Sequence, residues 1–506
     1  MEHMTDSAFF GLDVGTSSTK AVLVAPDGTV LDQRTAAHQV ERLPQGVVQM
    51  DMGAWWREFK ELYAQIVGGA GVRVAGIGVS GMGPCVGMTD LDDVPLAPAA
   101  LYGVDYRARE EIEEMTSVLD QSSLLRRCDS TLTSQAAGPK VRWFAKRHPE
   151  AFAAGVRLYM PSSWIIRHLT GEYVLDRHSA SQCTPLYDPE SQEWDREMVD
   201  RFAEGTELPR LGWSNDVCGR TRPNPELPEL DGGIPVIYGS IDAWSEQESV
   251  GATSENELFL MYGTTLFLIA NSSERLRHAS MWGTTGTREG TRNLAGGLAT
   301  SGALTQWFRD LTGGHEFAQL IAEAERVPPG SDGLLTLPYF AGERTPIQDP
   351  DARGVMAGLT LRHTRGHIYR SLLEATAFAV RHNIDVMEQA GARIESITCA
   401  GGGVGSDLWP QIVSHVTGRP QSIHRHSVGA SYGDAFMVAQ ALGFVTDLEE
   451  WNPVEKIIEP QPTPVYDALY EDYRSLYEST ASIAHHLAGI DTAGIPAEPN
   501  RGEKKE

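Results

Sequence analysis

The chain has 506 residues, with 68 acidic against 42 basic side chains and a formal charge of −26. That length predicts two to three domains of about 150–250 residues each. The acid excess excludes nucleic acid and anionic lipid as bulk partners, because no basic face is left to displace counterions, although an anionic ligand held by a few local groups is allowed. No apolar run reaches the roughly 18 residues of a membrane span. The opening MEHMTDSAFF is acidic where a secretion signal is basic and then apolar, so a cytoplasmic location is expected.

Residues 9–14 and 19–24 are apolar, strand-like runs separated by Gly15-Thr16-Ser17-Ser18, and Asp27-Gly28 supplies a turn into Thr29-Val30-Leu31. A hairpin corner made of small hydroxyl residues is unusual. Trp55, Trp56, Phe59, Leu62, Tyr63 and Ile66 recur at helical spacing, and residues 72–79 read as another strand. The middle of the chain, about residues 105–235, mixes helices, such as one over 140–147, with Pro- and Gly-punctuated loops. Pro223, Pro225, Pro228 and Pro235 precede the apolar strand Val236-Ile237-Tyr238. Residues 258–262 and 266–269 then flank Gly263-Thr264-Thr265, so the strand, Gly-Thr corner, strand pattern returns roughly 250 residues after its first occurrence. Two such corners predict two related halves facing each other. A long amphipathic helix near 367–389, a strand over 394–400, Gly401-Gly402-Gly403 and helices near 408–416, 432–442 and 466–487 complete the second half. Residues 496–506 are charged and proline-bearing, and disorder is expected there. Alternating strands and helices place the chain in the α/β class.

No Gly-Lys dipeptide exists, which excludes a Walker P-loop. Gly76-Ile77-Gly78-Val79-Ser80-Gly81 spells G-x-G-x-x-G, but Met82-Gly83-Pro84-Cys85 follows where a dinucleotide site needs a helix N-terminus; it reads as a close-packed strand end. The five cysteines, Cys85, Cys128, Cys183, Cys218 and Cys399, form no C-x-x-C pair and read as reduced thiols, with neither a disulfide framework nor a zinc cluster. The two corners are better candidates for phosphate binding, since amides at a tight glycine turn and adjacent hydroxyls can wrap phosphate oxygens. Asp13, beside the first corner, could hold Mg²⁺ through water, and Lys20 could offset phosphate charge. A plain hairpin is the alternative for either corner taken singly. The glycines of 401–405 with Ser406 either let a flat ring or ribose approach the backbone or form a flexible connector. Asp242, at the mouth of the strand over 236–238, could take a hydroxyl proton during phosphoryl transfer or could cap a helix.

With these residues the chain resembles the FGGY family of carbohydrate kinases. The resemblance implies a two-lobed, actin-like ATPase (ribonuclease H-like) fold with a ligand cleft between the lobes. GLDVGTSSTKAVLV (11–24) is similar to the family's opening phosphate motif. Gly354-Val355-Met356-Ala357-Gly358-Leu359, then seven residues, then His367-Ile368-Tyr369-Arg370-Ser371-Leu372-Leu373-Glu374 satisfy its C-terminal signature. PYFAGERTPIQDPDARG (338–354) resembles the xylulokinase branch, and the likeness runs from about residue 8 to 445. By position, the resemblance makes Asp242 the catalytic base and Asp13 the magnesium-side carboxylate. It makes Gly15, Thr16, Ser17, Ser18 and Lys20 the first phosphate loop, and Gly263 and Thr264 the second. Gly302 and Gln306 fall beside the nucleotide, Gly402 and Ser406 bracket the adenosine, and Met82, Gly83, Pro84, Asp105 and Arg107 fall on the substrate side.

Three departures from the family pattern stand out. Met82-Gly83-Pro84 replaces the Gln-Met-His segment usual in xylulokinases, and the tryptophan before the Asp105-Tyr106-Arg107 motif is missing. Lys140, Val141, Trp143 and Phe144 meet only part of the N-terminal signature. The implied layout is a lobe over 1–247 with the sugar site, a lobe over 248–490 with the adenosine site, and a tail over 491–506. The implied reaction is transfer of the γ-phosphate of ATP, with Mg²⁺, to a hydroxyl of a pentulose, D-xylulose first. Ribulose, gluconate, erythritol or another polyol, and a non-catalytic actin-like nucleotide switch, stay open as alternatives, as does a homodimer.

Overall fold

The computed structural model describes residues 7–491, so the charged segment at 496–506 lies outside the described residues. SAFFGLDV is apolar on both faces, as a strand covered on both sides must be, and it forms β1 (Ser7–Val14). The chain turns at Gly15, whose N–H donates to Ser18 O at 3.0 Å, into β2 (Ser18–Val24), antiparallel to β1 with Asp13 opposite Lys20. β3 (Val30–Ala37) extends this meander. It runs six residues past Leu31 into DQRTAA, an exposed edge strand whose polar sequence hid most of it. On the other side of β1 lie β4 (Arg73–Gly81), then β6 (Pro235–Ile237), both parallel to it, with β5 (Val217–Arg220) antiparallel at the edge.

The second sheet holds β7 (Glu257–Tyr262), β8 (Leu266–Ser272), β9 (Trp282–Thr285), β10 (Arg292–Leu298), β11 (Ser396–Ala400), β12 (Gln421–His424) and β13 (Val454–Ile458), in the order β9-β10-β8-β7-β11-β12-β13. Its central part, β10-β8-β7-β11-β12, repeats β3-β2-β1-β4-β6 in order and direction. Each Gly-Thr corner therefore joins the equivalent strand pair of its half.

The helices cover these sheets with the faces their periodicity provides. In α1 (Met52–Ala70), Asp51 accepts Gly53 N–H at 2.9 Å as N-cap, and Trp55, Phe59, Leu62, Tyr63 and Ile66 are buried with the first sheet. α2 (Asp242–Ser249) follows β6, and α3 (Gly302–Leu311) follows β10. α4 (Arg365–Gln389) fills the core of the second half through Tyr369, Leu372, Leu373, Phe378 and Met387. Residues of 86–203 build a third core, which bonds across to the second half: Asp129 pairs with Arg275 at 2.8 Å and Arg277 at 2.6 Å.

One helix departs from chain order. α5 (Ala430–Ala441) comes after the second sheet yet packs on the first, where Tyr432, Ala435, Phe436 and Val438 share one cluster with Phe9, Val22, Val24 and Ile237. Glycines admit it. A Cβ on Gly11 would lie 1.8 Å from Ser431 O, one on Gly78 would lie 2.4 Å from Asp434 O, and one on Gly76 would meet Val438 at 2.5 Å. The G-x-G-x-x-G run thus sits inside β4, and its first two glycines, Gly76 and Gly78, serve the contact with α5. Gly429-Ala430-Ser431-Tyr432-Gly433 also spells G-x-S-x-G, but Ser431 is buried in this contact and offers no exposed nucleophile. The five cysteines are buried free thiols, and no helix among the described residues is long and apolar enough to cross a membrane.

Overpacking this backbone-on-backbone contact should cost stability directly. Gly11→Ala is expected to lower the unfolding free energy by about 1–3 kcal/mol, read by urea denaturation; an unchanged midpoint would show that α5 does not depend on that approach.

Candidate active site

The first site is built where β1, β4 and β6 end together. Met82 N–H donates to Val14 O at 2.7 Å and Gly81 N–H to Ser240 O at 3.3 Å, so the strand ends carrying Asp13, Met82 and Asp242 form one edge. Ligands of open α/β sheets sit outside such carboxyl ends. Asp242 is the first residue of α2, one position after the N-cap Ile241, and its Oδ1 accepts Ala243 N–H at 2.8 Å.

The electrostatics of this edge are those of crowded acids. Burial pushes the Asp242 carboxyl up to about 6. Burial likewise holds Asp13 well above the usual carboxylate range, with Asp242 and Asp434 adding to it and Lys20 opposing. Glu246, one turn along α2, is raised to about 7 by burial and by Asp242. Asp13 Oδ1 is buried without a hydrogen-bond partner. An orphaned carboxylate oxygen among like charges fits the hydration shell of a divalent cation, which favours carboxylates and keeps its water. Among the described residues no three ligating side chains converge on one point, so any such ion would be held largely through water and phosphate.

The first corner is braced from behind. His38 Nε2 lies 3.0 Å from Gly15 O and its Nδ1 3.0 Å from Glu58, whose carboxylate also accepts the Thr19 hydroxyl. Burial works against the charged imidazole, but the Glu58 carboxylate outweighs it and raises His38. Thr16 Oγ1 lies 3.0 Å from the Tyr102 hydroxyl, which ties the corner to the loop leading to Asp105. Asp105 and Arg107 are bonded to each other at 2.9 Å, with side chains 0% and 3% exposed. Asp105 Oδ2 also accepts Val48 N–H at 2.7 Å, and the Arg107 guanidinium lies 5.0 Å over the Trp143 ring. Both side chains are thus engaged with the scaffold and shape the loop rather than project into open space. Met82 is buried, a Cβ on Gly83 would meet Ile241 at 2.7 Å, and Gln135 Nε2 donates to Gly83 O at 3.4 Å.

The second corner is locked onto a helix N-terminus. Gly302 N–H donates to Gly263 O at 2.9 Å, while Ser301 and Ala303 N–H groups donate to Thr264 O at 3.1 and 3.0 Å. The first amides of α3, which have no partner within the helix, are therefore satisfied by the carbonyls of this corner. Gly263, Thr264, Gly302, Gln306, Gly402 and Ser406 all line one cavity of about 1250 Å³, with Trp307, Phe317, Ile321 and Tyr369 among its walls. Residues 402–405 form a 3₁₀ turn rather than a loose connector, and Cβ atoms on Gly402 or Gly405 would meet nothing within 4 Å. Gly15, Thr16, Ser17, Ser18 and Lys20 are not among the residues lining this cavity; they stand with Asp13 at the strand edge.

Residues 8–246 match the N-terminal domain of the FGGY family of carbohydrate kinases, and residues 258–442 match its C-terminal domain. The chain belongs to this family. The xylulose kinase of Lactococcus lactis subsp. lactis is 25% identical over 504 residues, 96% of this chain and 99% of that protein. Glycerol kinase 1 of Streptomyces avermitilis is 28% identical over 485 residues, 89% and 94% of the two chains. The crystal structure of xylulose kinase from Rhodospirillum rubrum superposes with a TM-score of 0.87 at 29% identity, covering 94% of this chain and 100% of that one. Gluconate kinase from Lactobacillus acidophilus shares the fold, with a TM-score of 0.86 at 22% identity. This FGGY kinase has the two-domain, actin-like α/β fold of these structures. It is a sugar kinase, a phosphotransferase that takes an alcohol group as acceptor. The family uses ATP, typically with a divalent metal ion.

Several residues near this kinase's candidate site were not singled out from the sequence, although Arg344 lies within the 338–354 segment. His38 and Glu58 reach the first corner only through the fold. Arg344 comes from the second half, donates to Leu298 O at 2.6 Å, and leaves a buried Nε unpaired, while its charge bears on the Tyr102 and Tyr106 hydroxyls. Asp434, on α5, is raised to about 8 by burial, against the pull of hydroxyl bonds from Ser80 and Ser245. A carboxyl raised on folding binds its proton more tightly in the folded state, so the stability it confers is fully present below the unfolded value of 3.8 and is lost as pH rises to about 8. Asp434→Asn removes that loss. The variant's stability relative to wild type is expected to increase from pH 4 to pH 8 in ligand-free urea unfolding; a pH-independent difference would refute it.

Proposed function

We propose that this chain transfers the γ-phosphate of ATP to a hydroxyl of a pentulose, D-xylulose first, with Asp242 as general base. The observation that carries this reading is the shared strand edge. Asp242 stands beside the first corner and the Met82–Pro84 loop, and its Oδ1 is occupied by Ala243 N–H, leaving Oδ2 to accept a hydroxyl proton. Burial makes it a stronger base than a solvated aspartate while leaving it largely ionised at neutral pH.

In this reading the base and ribose occupy the cavity of the second half, against Gly402, Ser406, Gly302 and Gln306. Gly263 and Thr264 on one side, and Gly15, Thr16, Ser17, Ser18 and Lys20 on the other, hold the phosphates through amides, hydroxyls and one ammonium group. Asp13 would hold Mg²⁺, through water. When bound, the ion offsets charge on the phosphates, which the acids around Asp13 would otherwise repel. Residues 1–247 and 248–490 form the two lobes, with α5 returning from the second to the first. Met82, Gly83 and Pro84 form the floor of the sugar site, and Asp105 with Arg107 fixes the loop above it.

That floor offers little hydrogen bonding, since Met82 is buried and Gly83 is packed on Ile241. Discrimination among sugars rests on polar contacts of this kind, so the floor favours a second reading in which the acceptor is ribulose, gluconate, erythritol or another polyol. Sugar-stimulated ADP release, measured over a panel of pentuloses, hexuloses, aldonates and polyols, separates the two. D-xylulose giving the highest kcat/KM supports the first reading, and any other leader replaces it.

For Asp242→Asn, turnover is expected to fall about 10²–10⁴-fold, with ADP affinity by calorimetry within about twofold of wild type. Retained turnover would remove Asp242 from the mechanism.

A further inference from the structure

The steps above leave one buried acid unused. Asp434 is fully buried on α5, with Oδ2 accepting the Ser80 hydroxyl at 2.6 Å and Oδ1 accepting the Ser245 hydroxyl at 2.9 Å. The two serines belong to the two elements that frame Asp242. Ser80 is the penultimate residue of β4, whose last residue, Gly81, bonds Ser240 O and bridges to Ile241. Ser245 lies three residues after Asp242, on the first turn of α2.

The contact is tight on both sides. A Cβ on Gly78 of β4 would lie 2.4 Å from Asp434 O, and one on Gly433 of α5 would lie 1.8 Å from Ser245 O. Backbones this close leave α2 and β4 little freedom to slide along α5. Rotation of α2 about its own axis is the freedom that remains, and a hydrogen bond to Ser245 opposes it. Stability does not account for an acid here. Its burial carries a desolvation cost that a small apolar side chain would avoid, and Asp242 adds repulsion.

We infer that Asp434 is a positioning residue for Asp242: by bonding Ser80 and Ser245 together it fixes the rotation of α2 against β4 and so aims the Asp242 carboxyl at the acceptor hydroxyl. The inference rests on the reading of Asp242 as base. It also means that a helix following the second sheet sets the aim of a base on the first half.

The test uses the full chain, with ATP and the best acceptor from the panel. Asp434→Ala is expected to lower kcat ten- to a hundredfold while leaving KM for ATP within about twofold. Ser245→Ala, which removes one oxygen and little volume, should lower kcat in the same direction with Asp434 still present. Asp434→Asn, whose amide can accept from one serine and donate to the other, should recover at least about tenfold over alanine. A purely structural role would move the melting temperature alone and leave kcat of the folded fraction unchanged. If Asp434→Ala fails to fold, Ser245→Ala decides: full kcat in that variant overturns the inference. The two readings fail separately. If Asp242→Asn retains turnover, the base assignment falls; if it is inactive while the Asp434 and Ser245 variants keep full kcat, only the positioning role falls.

Discussion

Carboxylates repel one another most strongly where water is scarce, and this chain collects Asp13, Asp242, Glu246 and Asp434 around the end of one sheet. Lys20 is the cation that opposes them. Such an arrangement is costly in the ligand-free protein, and packing from three directions sustains it: β1 and β4 below, α2 beside, and α5 behind. If, as proposed, the phosphates of a nucleotide reach this edge, the same acids favour a metal-bound nucleotide over a bare one.

The two halves share a strand plan and a Gly-Thr corner, yet they use the corner differently. In the first half it opens onto the acids and is steadied by His38 and Glu58. In the second it is bonded to the start of α3, beside a large cavity walled by rings. The division follows from what each sheet places next to its corner. β4 and β6 bring strand ends and an aspartate, whereas β10 leads into a helix whose first amides bond the corner's own carbonyls. A duplicated scaffold thus supplies two like turns, and the neighbouring chain sets one of them among acids and the other beside a cavity.

Much of this was legible in the sequence because it depends on local pattern. The two corners, the helix carrying Trp55 and Phe59, the strands around Gly263 and the position of Asp242 are each set by residues within a few places of one another. Gly302, Gln306, Gly402 and Ser406 were reached through resemblance, and the fold brings all four to one cavity. What stayed hidden depends on long-range contact. His38 is a loop residue just past an edge strand until Gly15 and Glu58 meet it, and Asp434 is one polar residue of a mainly apolar helix until Ser80, 354 positions away, meets it. Asp105 and Arg107 are the opposite case: the motif is visible, but only the structure shows that the two charges are engaged with each other and with Val48 and Trp143.

The return of α5 to the first sheet also bears on how the protein is made. Tyr432 on that helix bonds to Gly28 across 404 residues, so Phe9, Val22 and Val24 are completed long after they leave the ribosome. At about 5–20 residues per second, that interval is roughly 20–80 seconds. Throughout it the earliest strands present an uncovered greasy face, which makes the nascent first half a natural client for folding helpers and a poor choice for expression as an isolated fragment.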